Sequence, residues 1–194
     1  MNASSPRISM KWTTREIVFL AMIGVVFAFL YLAWVQLWLA VQAVTGPLAM
    51  DVLFGFWFSG SIFAAYLIRK PFASFFAALL ASFVQILAGN PAGAVLLLTG
   101  LVQGAGSEVP LASFRWRRYS IPVLLAAGAV AALFSFIYNW FRFSYWELEI
   151  GLLIAMLAIR MVSGMLLGGL LGKLLADAVR KTGVTSGLAI ERAE

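Results

Sequence analysis

Apolar residues run through this chain in long stretches, interrupted by short clusters of charged, glycine and proline residues. The runs predict six helices, over residues 17–44, 52–68, 72–88, 93–113, 121–140 and 150–180. Each is long enough to cross the hydrocarbon of a bilayer, for which a helix needs about 17–25 apolar residues. The breaks between them carry turn chemistry: Gly46-Pro47, Lys70-Pro71 and Gly89-Asn90-Pro91, with Phe141 to Glu149 as the last connection. Loops this short make successive helices antiparallel neighbours. No internal repeat is visible, so an inverted-repeat secondary transporter is not supported.

The charges sharpen this into an oriented topology. Arg7, Lys11 and Arg15 precede the first run, and Arg69 and Lys70 follow the second. Arg115, Arg117 and Arg118 follow the fourth, and Lys173, Arg180, Lys181 and Arg192 close the sixth. Basic clusters near span ends are retained on the cytoplasmic side, so the alternation predicts six crossings with both termini inside. The net charge of +6 is then a topogenic signal and says nothing of nucleic acid. Composition agrees: 63% of residues are hydrophobic and 11% charged, with a mean hydropathy of +0.97, against roughly 25% charged in soluble domains. The expectation is an all-α membrane protein, a six-helix bundle in the cytoplasmic membrane, with residues 1–194 forming one membrane domain. The first run is too long for a signal-peptide core and reads as a retained helix.

The chain has no Cys and no His. That removes disulfides, thiolate nucleophiles, imidazole relays and the metal sites built from these ligands. The segment Gly168 to Leu174 only loosely resembles a phosphate loop and has no Ser or Thr after Lys173. If ATP drives this protein, another subunit binds it. No enzyme chemistry, cofactor or metal site is expected.

Polar residues inside apolar spans carry the functional signal, because an ionised side chain at the bilayer centre costs at least ~2.5–3.5 kcal/mol. Glu108, Arg160, Gln85 and Gln103 lie within predicted helices. Glu108 and Arg160 can form a buried pair holding the fourth and sixth helices in register, or Glu108 can face a ligand cavity. Asp51, Trp57, Asn90, Tyr138 and Asn139 gather near the predicted outer ends. Together they offer aromatic faces, amides and a carboxylate to an outward-opening pocket, which is what a small organic ligand needs. Trp34, Trp38, Trp140 and Trp146 near outer boundaries, with Trp12 and Trp116 near inner ones, read mostly as interfacial anchors. Small residues recur at helical spacing: Gly164, Gly168 and Gly172; Gly100 and Gly104; Gly24 and Ala28. They suit close helix packing within the bundle, or docking of a partner subunit by the first helix.

Several segments are distinctive: Tyr66-Leu67-Ile68-Arg69-Lys70-Pro71, Gly89-Asn90-Pro91-Ala92-Gly93, Gly100 to Glu108, Ser135-Phe136-Ile137-Tyr138 and Ile159-Arg160-Met161-Val162-Ser163-Gly164. They resemble the YkoE family of substrate-binding S components of energy-coupling factor transporters, over about Glu16 to Gly187. The resemblance implies capture of thiamine or its hydroxymethylpyrimidine precursor on the outer face, and association with a T component and two cytoplasmic ATPases. It implies docking through a small-residue face of the first helix, represented here by Ala21, Gly24 and Ala28. A thiazolium cation and a flat aminopyrimidine call for aromatic faces and hydrogen-bonding groups. The expected set is Trp57 and Tyr138 as walls, Asn90 and Gln103 as hydrogen-bonding groups, and Glu108 or Asp51 as the acid. The alternative is a non-transport scaffold or assembly subunit whose polar residues only lock helices.

Overall fold

The computed structural model describes residues 11–45 and 47–192. Arg7 of the first basic cluster, Gly46 of the first predicted turn and the side chain of Arg192 lie outside the described residues. All regular structure among the described residues is helical.

Helix α1 spans Thr14–Thr45. It begins ahead of the predicted Ile17 because a capping box starts it: Thr13 Oγ1 accepts from the Glu16 amide at 3.3 Å and Glu16 Oε2 accepts from the Thr13 amide at 2.8 Å. An apolar-run criterion misses such a polar first turn. The second pass, expected as one helix from residue 52, is two: α2 (Pro47–Phe54) and α3 (Phe56–Ile68), broken at Gly55. The cause lies across the bundle. Ser163 accepts from the Gly55 amide at 2.9 Å and donates to the Val52 carbonyl at 2.6 Å, so one hydroxyl serves both backbone groups at the break. Any Cβ on Gly55 would collide with the Ser163 backbone.

Arg69 and Phe72 both adopt left-handed backbone (φ 51° and 62°) in the tight turn to α4 (Ala73–Leu87). The next turn uses Gly89 and Gly93 at φ 81° and 61°, positions that favour glycine. Asn90 Oδ1 accepts from the Ala92 amide at 2.9 Å, closing an Asx turn. Helices α5 (Val95–Ser113) and α6 (Ile121–Arg142) follow. The last pass is α7 (Ile150–Ser163), a π-helical stretch over Gly164–Leu170, and α8 (Leu171–Arg180). The π stretch falls where a continuous helix was expected and where glycines let backbones touch.

Among the described residues, five helical stretches are long and apolar enough to span a membrane, and the shorter apolar α4 supplies a sixth pass. Successive passes pack on one another, α1 also lies on α4, and α3 lies on α8. The small-residue faces serve these contacts. Gly100 and Gly104 meet Ser82, Ala78 and Phe75 of α4, Gly128 of α6 meets Gly164, and Gly168 meets Phe58.

The first helix departs from expectation. Gly24 and Ala28 are buried, and a Cβ on Gly24 would lie 2.8 Å from Leu80 Cβ of α4. Of the three residues read as a docking face, only Ala21 is exposed, beside Ile17, Val18, Met22 and Val25. Close approach of α1 to α4 consumes Gly24. Several tryptophans expected as interfacial anchors also have internal partners. Trp34 stacks on Phe56 at 4.2 Å and donates to the Leu53 carbonyl, Trp38 meets Trp57 edge-on, and Trp116 donates to Glu108.

Candidate ligand cavity

The antiparallel passes sort the chemistry to two ends. The turns and termini bearing Lys11, Arg15, Arg69, Lys70, Arg115, Arg117 and Arg118 gather at one, the basic end. The close of α1, all of α2, the α4–α5 turn and the close of α6 gather at the other. At this second end a cavity of about 360 Å³ opens between the helices, within the roughly 300–1,000 Å³ usual for small-molecule sites.

Its aromatic and apolar walls come from Tyr31, Val35 and Trp38 of α1, and from Met50, Phe54 and Trp57 of α2 and α3. One polar side is built by Ser82 and Gln85 of α4, Asn90 of the turn, and Thr99 and Gln103 of α5. Asn90 Nδ2 donates to Gln85 Oε1 at 3.0 Å, and Gln85 Nε2 donates to the Ala81 carbonyl at 3.2 Å. The turn geometry thus fixes the orientation of both amides before any ligand arrives. The facing side is the end of α6, with Asn139, Arg142 and Phe143. Trp38 Nε1 and Asn139 Nδ2 are buried without a hydrogen-bond partner. Leaving such a group unpaired costs about 1–3 kcal/mol.

Of the residues anticipated from sequence, Trp57, Asn90 and Gln103 line this cavity and Tyr138, Asp51 and Glu108 do not. Tyr138 lies one position off along α6, and the cavity takes its neighbour Asn139 instead. The Arg142 guanidinium lies 6.0 Å from the Tyr138 ring centroid. Asp51 pairs with Arg160 at full burial, and Arg160 also donates to the Tyr145 hydroxyl at 3.1 Å and lies 4.2 Å from the Phe54 ring centroid. The anticipated Arg160–Glu108 pair is therefore replaced by Arg160–Asp51, because α2 brings its carboxylate to α7 at the depth of Arg160. Glu108 is at the basic end. Its Oε1 accepts from the Phe72 amide at 2.7 Å and from Trp116 Nε1 at 2.5 Å, and its Oε2 accepts from the Phe75 amide at 3.3 Å. It caps the exposed amides that open α4. Close by, burial pushes the Tyr119 phenol above its ordinary range, with the Glu108 charge adding and Arg69 opposing.

Sequence reasoning did not find Tyr31, Trp38 or Arg142. Trp38 and Arg142 sit near span ends, where aromatic and basic residues read as membrane anchors. A larger cleft of about 890 Å³ lies at the basic end, between Tyr66, Lys173, Asp177, Arg180, Lys181 and Glu191. Its charges pair within the cleft, Lys173 with Asp177 and Arg180 with Glu191. It is a surface cleft rimmed by charged side chains, and the cavity between the helices, walled by aromatic rings and amides, is the better ligand site despite its smaller volume.

Six apolar passes around a cavity closed by amides and aromatics describe a small-molecule permease subunit of the membrane. Residues 15–134 match the family described as ABC-type cobalt transport system, permease component. The chain is 41% identical over 179 residues to a protein of Bacillus subtilis (strain 168) with the provisional name HMP/thiamine permease protein YkoE, covering 92% of this chain and 90% of that one. It also matches a crystal structure of an S-component of an ECF transporter, at 41% identity and a TM-score of 0.91, covering 94% of this chain and 92% of the other. The chain belongs to the YkoE family of S components of energy-coupling factor transporters, multi-pass proteins of the cytoplasmic membrane that are not enzymes.

Proposed function

We propose that this S component captures thiamine or its hydroxymethylpyrimidine precursor (HMP) at the extracellular side, for uptake by a complex with a T component and two ATPases. The observation that carries the reading is the cavity of about 360 Å³ between Trp57 and the prearranged amides of Gln85 and Asn90. A flat aminopyrimidine needs a stacking face and amide partners along its edge, and these walls supply both. The name of the Bacillus subtilis relative points to the same ligands.

The extracellular placement rests on the basic clusters, which gather at the end opposite the cavity and belong on the cytoplasmic side. The metal in the family description has less support from the residues. The chain has no His or Cys, and the cavity walls offer amides, hydroxyls and rings rather than the imidazole, thiolate or carboxylate ligands of divalent transition metals. A single membrane bundle over residues 1–194 completes the proposal.

Mass spectrometry of small molecules co-purifying with the detergent-solubilised protein tests the ligand, together with titration by quenching of Trp38 and Trp57 fluorescence. Saturable binding of thiamine or HMP supports the proposal. Absence of binding for both would overturn it.

A further inference from the structure

Two turns at the basic end depart from the usual helix ending in the same way. Helices commonly close on a glycine in left-handed backbone, yet here an arginine takes that conformation twice. Arg69 after α3 has φ 51°, and Arg115 after α5 has φ 53°, followed by Trp116 at 56°. Left-handed backbone is unfavourable for any residue with a Cβ and persists where the surroundings impose it. Glu108 braces both turns, accepting from the Phe72 and Phe75 amides on one side and from the Trp116 indole on the other.

For Arg69 the fold supplies a reason. Its guanidinium lies 5.3 Å from the ring centroids of both Tyr66 and Tyr119, and its Nε donates to the Tyr66 carbonyl at 3.3 Å. For Arg115 it supplies none. Arg115, Arg117 and Arg118 are exposed, and no carboxylate pairs with them among the described residues. The described acids of this end are engaged elsewhere: Glu16 with Lys70, Asp177 with Lys173, Glu191 with Arg180, and Glu108 with the amides. Topology alone does not call for this arrangement, since lysine in a relaxed turn is retained on the same side.

Helix α5 ends at Ser113 after 19 residues, roughly 28 Å of helix against a hydrocarbon thickness of about 30 Å. Residues 114–118 therefore emerge at the level of the lipid headgroups. Rings mark the same level: Trp12, Phe76, Phe72 and Trp116 contact one another in succession, with centroids between 5.9 and 6.4 Å apart, and Phe72 and Phe114 are exposed. The Arg117 amide donates to the Phe114 carbonyl at 3.1 Å, and the Arg118 guanidinium lies 5.6 Å from the Phe114 ring centroid. Three guanidinium forks thus arise within four consecutive residues, and each fork matches phosphate oxygens in pairs.

We propose that the turn from Phe114 to Arg118 binds the phosphate of an anionic phospholipid headgroup. Arg115, Arg117 and Arg118 contact the phosphate, Phe72 and Phe114 enter the acyl boundary, and Glu108 is the positioning residue that holds the turn in shape. The site is independent of what the cavity binds.

Native mass spectrometry of the full chain released from nanodiscs of mixed phosphatidylcholine and phosphatidylglycerol tests this, with thermal unfolding read alongside. The wild type retains phosphatidylglycerol over phosphatidylcholine, and absence of that preference overturns the proposal. Arg115→Gln, Arg117→Gln and Arg118→Gln together abolish it, each arginine contributing about fivefold, the equivalent of about 1 kcal/mol beside an anionic bilayer. Lys173→Gln, Arg180→Gln and Lys181→Gln together remove as many charges from the same end and leave the preference in place. Equal loss from the two triple variants means a diffuse field and overturns the site. Arg115→Gly suits left-handed backbone better, so it keeps or raises the unfolding temperature while lowering the preference; an unchanged preference overturns the role of Arg115. Glu108→Ala makes this end more positive, yet in the folded fraction it weakens phosphatidylglycerol retention. Tighter retention, as bulk charge alone predicts, overturns the positioning role. Inorganic phosphate titrated in detergent leaves the unfolding temperature unchanged, and stabilisation by it to the extent seen with phosphatidylglycerol overturns the assignment to lipid.

Discussion

Arg160 of α7 and Asp51 of α2 form an ion pair with both side chains fully buried, directly behind the cavity wall that carries Phe54. The pair fastens a short helix to the bundle at a point where its backbone is already broken by Gly55. Ser163, one turn along from Arg160, holds the same junction through Val52 and Gly55. Two residues of α7 thus fix the position of α2, and α2 with the start of α3 supplies Met50, Phe54 and Trp57 to the cavity. Sequence could name Arg160 as a buried cation but could not choose its acid.

Asp51→Asn strands the Arg160 guanidinium in an apolar interior, at a cost of roughly 3–5 kcal/mol in stability. Adding Arg160→Met to the same chain removes the stranded charge and recovers part of the loss. Thermal unfolding of the single and double variants in detergent checks this. Equal unfolding temperatures for Asp51→Asn and the wild type would show that the pair does not hold α2.

Glu108 separates a structural role from a ligand role cleanly, because its three contacts are all at the basic end. Glu108→Ala removes the acceptor for the Phe72 and Phe75 amides and for Trp116, which lowers stability by about 1–3 kcal/mol. Affinity for thiamine and HMP in the folded fraction stays near the wild-type value. A tenfold loss of affinity, equivalent to 1.4 kcal/mol, without a change in unfolding temperature would put Glu108 back in the ligand site.

The contrast between Asp51 and Glu108 shows where legibility ended. The six apolar passes, the turns at Lys70-Pro71 and Gly89-Asn90-Pro91, and the gathering of Trp57, Asn90 and Gln103 at one end all follow from span length and turn chemistry. Those are local properties. The break at Gly55 depends on Ser163, distant in sequence, and the partner of Arg160 depends on how deep α2 sits. On α6 the choice between Tyr138 and Asn139 is a rotation of about 100° about the helix axis, which a nearly uniform apolar surround does not encode. Gly24 and Ala28 carry the composition of a docking face, and composition alone does not say whether the neighbour is α4 or another chain.

Gly24→Leu should act on folding. With a Cβ already 2.8 Å from Leu80 Cβ, a leucine overpacks the α1–α4 contact and destabilises by about 1–3 kcal/mol. Ala21→Leu, on the exposed side of the same helix, leaves the unfolding temperature close to wild type. Reversal of this order in thermal unfolding assays would mean that α1 is rotated from the orientation described.

Orientation in the membrane is open to a direct measurement, since a chain without cysteine accepts single reporter thiols. Cysteine at Glu149, exposed beyond α6, is labelled by an impermeant thiol reagent in intact cells, and cysteine at Ser120, exposed at the basic end, is protected until the membrane is opened. Labelling at Ser120 with protection at Glu149 would invert the topology and place the cavity on the cytoplasmic side.

Trp57 and Tyr138 offer the sharpest comparison within the site, because both were expected from sequence to wall the ligand and only Trp57 lines the cavity. Trp57 meets Trp38 edge-on with ring centroids 6.2 Å apart and Phe54 at 5.3 Å, so its orientation is set by neighbours that are themselves wall residues. Trp57→Leu removes a stacking face, and an aromatic contact of this kind is worth about 0.5–1.5 kcal/mol beyond its buried area. With the lost area included, affinity for HMP and thiamine falls by about tenfold or more, 1.4 kcal/mol. Tyr138→Leu leaves affinity for HMP within about twofold, since the Tyr138 ring lies beneath Arg142 and outside the cavity. Calorimetric titration of both variants decides between them, and a larger loss from Tyr138→Leu than from Trp57→Leu would move the ligand from the α1–α5 side of the cavity to the outer face of α6.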